Sequence, residues 1–174
     1  MTKTLARAYE WLLDFCGLVA GVAIGLMALF ITIDVVIRNL GIGNFPWLLE
    51  VAEYTLYGTT FLAAPWALRL GAHVRVDLLL QWVPPRAGRA LEATVDILGA
   101  AIAAVLTYYG LLVTLDSHGL DARIVKELVV VEWPLLAIVP FSCGLLAIEF
   151  LRRLGRTIAG ADANAGAAAP TDGL

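Results

Sequence analysis

Charge is scarce in this sequence. Only 16% of its 174 residues are Asp, Glu, Lys or Arg, and 60% are hydrophobic, with a mean hydropathy of +0.83. An ordinary soluble domain carries about 25% charged residues. The side chains of catalysis and redox chemistry are scarcer still. There are two histidines, His73 and His118, two cysteines, Cys16 and Cys143, and two serines, Ser117 and Ser142. The cysteines have no CxxC spacing, and a structural disulfide is not expected. No Gly-x-Ser-x-Gly elbow, phosphate loop, dinucleotide fingerprint or metal-ligand cluster occurs. These absences argue against an enzyme, a cofactor and a metal site. The net charge of −3 offers no electrostatic basis for binding nucleic acid.

What the sequence does contain is long uncharged runs. Residues 15–33, 54–68, 97–115 and 133–148 carry no charge. A bilayer core needs about 20 apolar residues per helix, and the two shorter runs reach that length with flanking residues 46–53 and 128–132. The fold class predicted is an all-α integral membrane protein with four transmembrane helices, at about 12–37, 47–69, 93–115 and 128–151. Hydrocarbon offers no partner for backbone N–H and C=O groups, so spans of this composition have to be helical. The first run is too long for a signal-peptide core and has no small-residue cleavage site after it.

Lysine and arginine set the expected orientation. Nine of the 12 fall on the side that holds both termini and the central loop: Lys3, Arg7, Arg69, Arg75, Arg86, Arg89, Arg152, Arg153 and Arg156. Arg38, Arg123 and Lys126 fall on the other. Positive residues concentrate on the cytoplasmic side, which predicts both termini and the central loop in the cytoplasm. The two histidines then lie on opposite sides of the membrane, which excludes a two-histidine haem within the chain. Trp11, Trp47, Trp66 and Trp133 sit near predicted span ends and Trp82 in the cytoplasmic loop, so none falls at a bilayer centre, as expected of amphipathic indoles at the lipid interface.

Span one carries Gly17, Gly21 and Gly25, a small-residue stripe that suits close helix contact within the chain or with another subunit. Pro65, Pro134 and Pro140 interrupt spans two and four and are expected to kink them. Asp34 and Arg38 share a helix face, and with Glu50 they predict an ion-pair network near the outer boundary. Glu53 and Glu132 lie at similar depth, and no charge lies mid-span. Between spans two and three, Val74, Leu78 and Trp82 share one face of a short amphipathic helix along the inner surface, ended by Pro84 and Pro85. Arg86 and Arg89 then meet anionic phospholipid headgroups. The tail 157–174, rich in Ala, Gly, Asp and Asn, is expected to be disordered.

Several stretches together resemble one family. Trp47-Leu-Leu-Glu50-Val-Ala-Glu-Tyr54 resembles the W-x-x-E-x-x-x-Y opening of the second helix in the small membrane subunits, of DctQ type, of tripartite ATP-independent periplasmic (TRAP) transporters. Arg69-Leu-Gly-Ala-His73-Val-Arg-Val-Asp77-Leu is similar to that family's R-x-G-x-H-h-x-h-D-h signature, where h is hydrophobic. Val83-Pro84-Pro85-Arg86 through Arg89 resembles the stretch that follows it. Asp34 and Arg38 stand where the family has a polar pair, and Pro140-Phe-Ser-Cys-Gly144 resembles its P-h-x-x-G. The likeness covers about residues 10–155. Glu132 beside Trp133 departs from the pattern, which has a mainly apolar or small-residue entry there.

The resemblance implies a scaffold subunit. It would brace a large TRAP membrane subunit that holds the substrate and sodium sites. A periplasmic solute-binding protein would deliver an organic anion, such as a C4-dicarboxylate or sialic acid. His73, Asp77 and Pro140 would serve assembly or structure, alongside the glycine stripe and the outer polar residues. Two other readings stay open: an anchor subunit of a redox complex, which needs intramembrane histidines, and a self-sufficient homodimeric exporter, which needs a carboxylate within a span.

Overall fold

A computed structural model describes residues 3–70 and 85–158. The expected membrane-surface helix, with His73, Asp77 and Trp82, lies outside the described residues, as do residues 159–174 of the expected tail, whereas Thr157 and Ile158, also assigned to that tail, continue the last helix. Four helices make up nearly all of the described chain: α1 (Lys3–Asn39), α2 (Pro46–Arg69), α3 (Pro85–Gly119) and α4 (Trp133–Ile158). Between α3 and α4 lies a two-stranded antiparallel hairpin, β1 (Arg123–Val125) and β2 (Val129–Val131), with Ile124 opposite Val130.

α1 packs on α2, α2 on α4, and α4 on α3, so the helices run in the spatial order α1, α2, α4, α3. α2 and α4 are the inner pair, and α1 and α3 the outer pair. α1 buries Leu13, Cys16, Ala20 and Met27, spaced by three, four and seven, which is one helical stripe. Its other faces expose Leu18, Val22, Leu26 and Leu29, and α3 likewise exposes Leu98, Ile102, Val105 and Leu106. Apolar side chains on the outside and polar ones within is the pattern a lipid solvent selects.

Among the described residues three helical stretches are long and apolar enough to cross a membrane: Ala6–Asn39, Ala90–Gly119 and Trp133–Ile158. α2, with 24 residues, is about 36 Å long, which is ample, but no stretch of it is as apolar as those three. Its position accounts for this. Packed between α1 and α4, it meets less lipid, and its hydroxyls find partners in its own backbone: Thr59 donates to the Thr55 carbonyl (2.8 Å) and Thr60 to that of Leu56 (2.7 Å).

Tertiary structure decides the helix ends. Residues 128–132, expected to extend the fourth span, instead form the end of the hairpin turn, β2 and the N-cap of α4. Val129, Val130 and Val131 are β-branched and pair with β1, while the Glu132 carbonyl takes the amides of Leu135 (3.1 Å) and Leu136 (3.2 Å). Pro134 therefore sits in the first turn of α4, where its missing N–H costs nothing, and does not interrupt the helix. Pro65 and Pro140 do lie inside helices.

α1 and α3 stop in the same way. The Gly41 amide reaches the Arg38 carbonyl (3.1 Å) and the Ile42 amide that of Ile37 (3.2 Å), with Gly41 at φ +70°. At α3, Asp121 takes the left-handed position at φ +46°, with its amide on His118 (3.3 Å) and that of Ala122 on Ser117 (3.1 Å). Both are paired C-terminal bonds closed by one left-handed residue.

Candidate functional site

Polar side chains collect at the two ends of the helix array. The end that holds the chain termini carries a network touching all four helices. Arg69 of α2 donates to the Glu10 carbonyl (2.9 Å) and to Asp14 Oδ1 (2.8 Å) of α1. Arg152 of α4 pairs with Glu10 (3.2 Å) and with Glu149 (3.5 Å), and its guanidinium lies 4.8 Å from the centre of the Tyr9 ring. Arg156 closes on Glu149 (3.0 Å), and Arg153 reaches Asp96 of α3 (3.2 Å). The Tyr9 hydroxyl donates to the Leu145 carbonyl (3.0 Å).

Glu149 and Asp96 are almost wholly buried, whereas Asp14 and Arg156 reach the surface. Loss of a partner should cost more at the two buried acids, because it strands a charge away from water, whereas an ion pair open to solvent is worth about 0–1 kcal/mol. Sequence reasoning counted these arginines for orientation and did not see their partners. Glu149 to Arg152 and Arg156 is a spacing of three and seven along one helix face, so that part was legible. Asp14–Arg69 and Asp96–Arg153 join residues far apart in sequence and carry no local signal.

The opposite end holds the hairpin. Glu50, buried near the start of α2, accepts the Tyr54 hydroxyl (2.6 Å) and the Leu128 amide (2.9 Å). Lys126 grips Glu53 (3.0 Å) and stands 5.8 Å from the centre of the Tyr54 ring. The side chain of Glu132 accepts the Ser117 hydroxyl (2.9 Å) while its backbone amide meets the Ala122 carbonyl (3.1 Å). Glu132 thus ties the end of α3 to the start of α4, a polar task that an apolar residue at this entry would not perform.

The structure does not bring Asp34, Arg38 and Glu50 together as expected. Asp34 Oδ1 accepts the Phe45 amide (3.0 Å) and so closes the link between α1 and α2, while Glu50 turns to the hairpin. Among the described residues no ion pair joins Arg38 to either acid. The four-residue spacing permits a pair, but a backbone amide and a hairpin offered the carboxylates other partners.

The glycine stripe divides. A Cβ at Gly17 would fall 2.6 Å from the Trp66 ring, whereas one at Gly21 or Gly25 would meet nothing within 4 Å. Trp66, expected as a lipid anchor, therefore belongs to the α1–α2 contact. Trp11 is exposed and stacks on Phe15 (5.6 Å), Trp47 is exposed, and Trp133 lies 5.2 Å from the His118 ring. Pro140 packs on α3, where a Cβ on Gly110 would lie 3.2 Å from its Cδ. Arg86 and Arg89 fall within α3. Cys16 and Cys143 are both free and buried. Among the described residues no group of three or more His, Cys, Asp or Glu side chains is placed to hold a metal ion.

A family model described as "Tripartite ATP-independent periplasmic transporters, DctQ component" matches residues 27–160, well over half the chain. The chain belongs to the DctQ family. A search of curated proteins found no match. DctQ is a component of a transporter and the family is non-enzymatic. Membership makes this chain a multi-pass membrane protein of a TRAP system and implies partnership with a DctM component and a solute-binding protein. The DctQ match covers the hairpin end entirely and reaches past Arg156, so both polar clusters contain residues inside the family region.

Proposed function

We propose that this DctQ chain is the static brace of its transporter: it supports a larger carrier subunit and does not itself hold substrate. The observation that carries this reading is the distribution of charge. In every helix the acids and bases stand toward one end or the other, where many of them pair with each other or with backbone amides, and the runs between them are uncharged. A subunit that binds an anion and a coupling ion needs polar groups at mid-depth, where charge is costly and is kept for function. The exposed apolar faces of the outer helices α1 and α3 suit lipid and a membrane partner.

The orientation follows from the nine-to-three basic asymmetry. It places both termini and the Arg152 network at the cytoplasmic face of the inner membrane, and the hairpin on the periplasmic side. There the hairpin stands where a solute-binding protein arrives. The cargo class is an organic anion such as a C4-dicarboxylate, taken up with sodium through the large subunit. Support comes from family membership and from the uncharged runs in the middle of these helices.

The test is uptake into proteoliposomes under an inward sodium gradient. Vesicles holding this chain alone are expected to take up no organic acid, and those holding the large subunit, this chain and the binding protein to accumulate it. Gradient-driven uptake by this chain alone would overturn the brace reading.

A further inference from the structure

The Ser142 hydroxyl behaves unlike those of the threonines around it. Thr32, Thr59, Thr60, Thr94, Thr107 and Thr114 each donate to a carbonyl four residues back in their own helix. This is the usual resort of a hydroxyl on a helix away from water. Ser142 of α4 does not follow them. Fully buried, it crosses to α2 and donates to the carbonyl of Phe61.

Phe61 stands four residues before Pro65, inside α2. In a regular helix the N–H of residue 65 would close on the Phe61 carbonyl, and proline has none. The Ser142 hydroxyl supplies the donor that Pro65 lacks. Among the described residues it makes the one side-chain hydrogen bond between α2 and α4. Two residues earlier on α4, Pro140 packs on Gly110 of α3. One layer thus joins α2, α4 and α3, at the contact where the α1–α2 pair meets the α3–α4 pair.

We infer that Ser142 is a positioning residue whose hydroxyl completes the proline gap of α2 and so fixes the two helix pairs as one rigid body. Proline frees the carbonyl and opens the possibility of bending, and serine from the neighbouring helix closes it. Without that bond the Phe61 carbonyl lacks the donor that residue 65 would ordinarily supply, and the α2–α4 joint keeps only non-directional packing. The inference goes beyond the brace reading and does not depend on it, since it concerns the isolated chain.

A double-mutant cycle on the full chain in detergent tests it. Ser142→Ala is expected to lower the midpoint of thermal unfolding by about 2–6 °C, as loss of one buried hydrogen bond does in a chain of this size. In a Pro65→Ala background the new amide can serve Phe61 itself, so the same Ser142→Ala change should cost less than half as much. Equal losses in both backgrounds would reduce Ser142 to a packing residue, and no loss in either would show the bond to be dispensable.

A second readout separates rigidity from stability. Spin labels at the exposed positions Leu49 of α2 and Leu115 of α3, in a chain whose Cys16 and Cys143 are replaced by Ala, report the distance between the two pairs. Ser142→Ala should broaden that distribution, and Pro65→Ala together with Ser142→Ala should narrow it again. A distribution unchanged by Ser142→Ala would overturn the inference.

Discussion

The indole of Trp66 lies against Gly17, so close that a single added methyl carbon would come within 2.6 Å of its ring. One position of the α1 glycine stripe is therefore consumed inside the chain, while Gly21 and Gly25 face open space. The two kinds of glycine should respond differently to bulk. Gly17→Leu is expected to destabilise the isolated chain by about 1–3 kcal/mol, as overpacking does. Gly21→Leu should leave it within about 0.5 kcal/mol, as surface changes do. Thermal unfolding in detergent measures both. If Gly21→Leu matches wild type alone but lowers co-purification with the large subunit, that face is a subunit contact. Equal damage to the isolated chain from both variants would contradict the packing described.

Glu149 is the buried acid between Arg152 and Arg156. Removing one partner of a buried pair costs about 3–5 kcal/mol, but both arginines here can turn toward solvent. Glu149→Ala should therefore cost about 1–3 kcal/mol. Asp14→Ala, which breaks a pair open to water, should cost less than about 1 kcal/mol. Chemical denaturation of the two variants would reverse this reading if Asp14 proved the more costly loss.

Glu50 pins the hairpin to α2 through the Leu128 amide. Its loss should release the hairpin while leaving the helices folded. Glu50→Ala is expected to raise hydrogen exchange at Leu128 by about 10-fold or more, since a bond to a charged acceptor is worth about 1.5–3 kcal/mol. Glu50→Gln, which keeps a carbonyl oxygen, should give a smaller rise. Arg38→Ala should leave Leu128 exchange at the wild-type rate, because Arg38 has no ion-pair link to Glu50.

Asp121 closes α3 at φ +46°, a conformation that costs a residue with a side chain more than it costs glycine. Its pair with Arg123 at 3.0 Å is exposed on both sides and offsets little of that. Asp121→Gly should raise stability by up to about 1 kcal/mol. A lower unfolding midpoint in that variant would show that the Arg123 contact outweighs backbone strain.

Orientation is open to direct labelling. Single cysteines at Ala87 and Gly119, on a background where Cys16 and Cys143 are buried, should react from opposite sides of the membrane in intact cells. Gly119 is expected to label from the periplasm and Ala87 only after the membrane is breached. Labelling of Ala87 from outside would reverse the topology proposed.

Composition and the spacing of charge determined that the chain is helical, apolar on its outside and built of four segments, because a helix in lipid must satisfy its backbone alone and needs only length and apolarity. The same local patterns yielded the DctQ resemblance through Trp47, Glu50, Tyr54 and the Arg69 region. They failed wherever a residue had several partners within reach. Asp34 and Arg38 had the spacing of an ion pair, yet Asp34 took the Phe45 amide. Glu132 looked out of place until the end of α3 came beside it. Val129–Val131 read as part of a span because a short apolar run next to a helix fits either a strand or a helix turn, and periodicity alone does not separate them, although its partner Arg123–Val125 is close in sequence. Spacing along one helix says which side chains are able to meet. Only the packing of α1, α2, α4 and α3 decides which carboxylate, arginine or hydroxyl is near enough to bind, and that choice placed Trp66 on Gly17, Arg153 on Asp96 and Ser142 on the carbonyl that Pro65 leaves open.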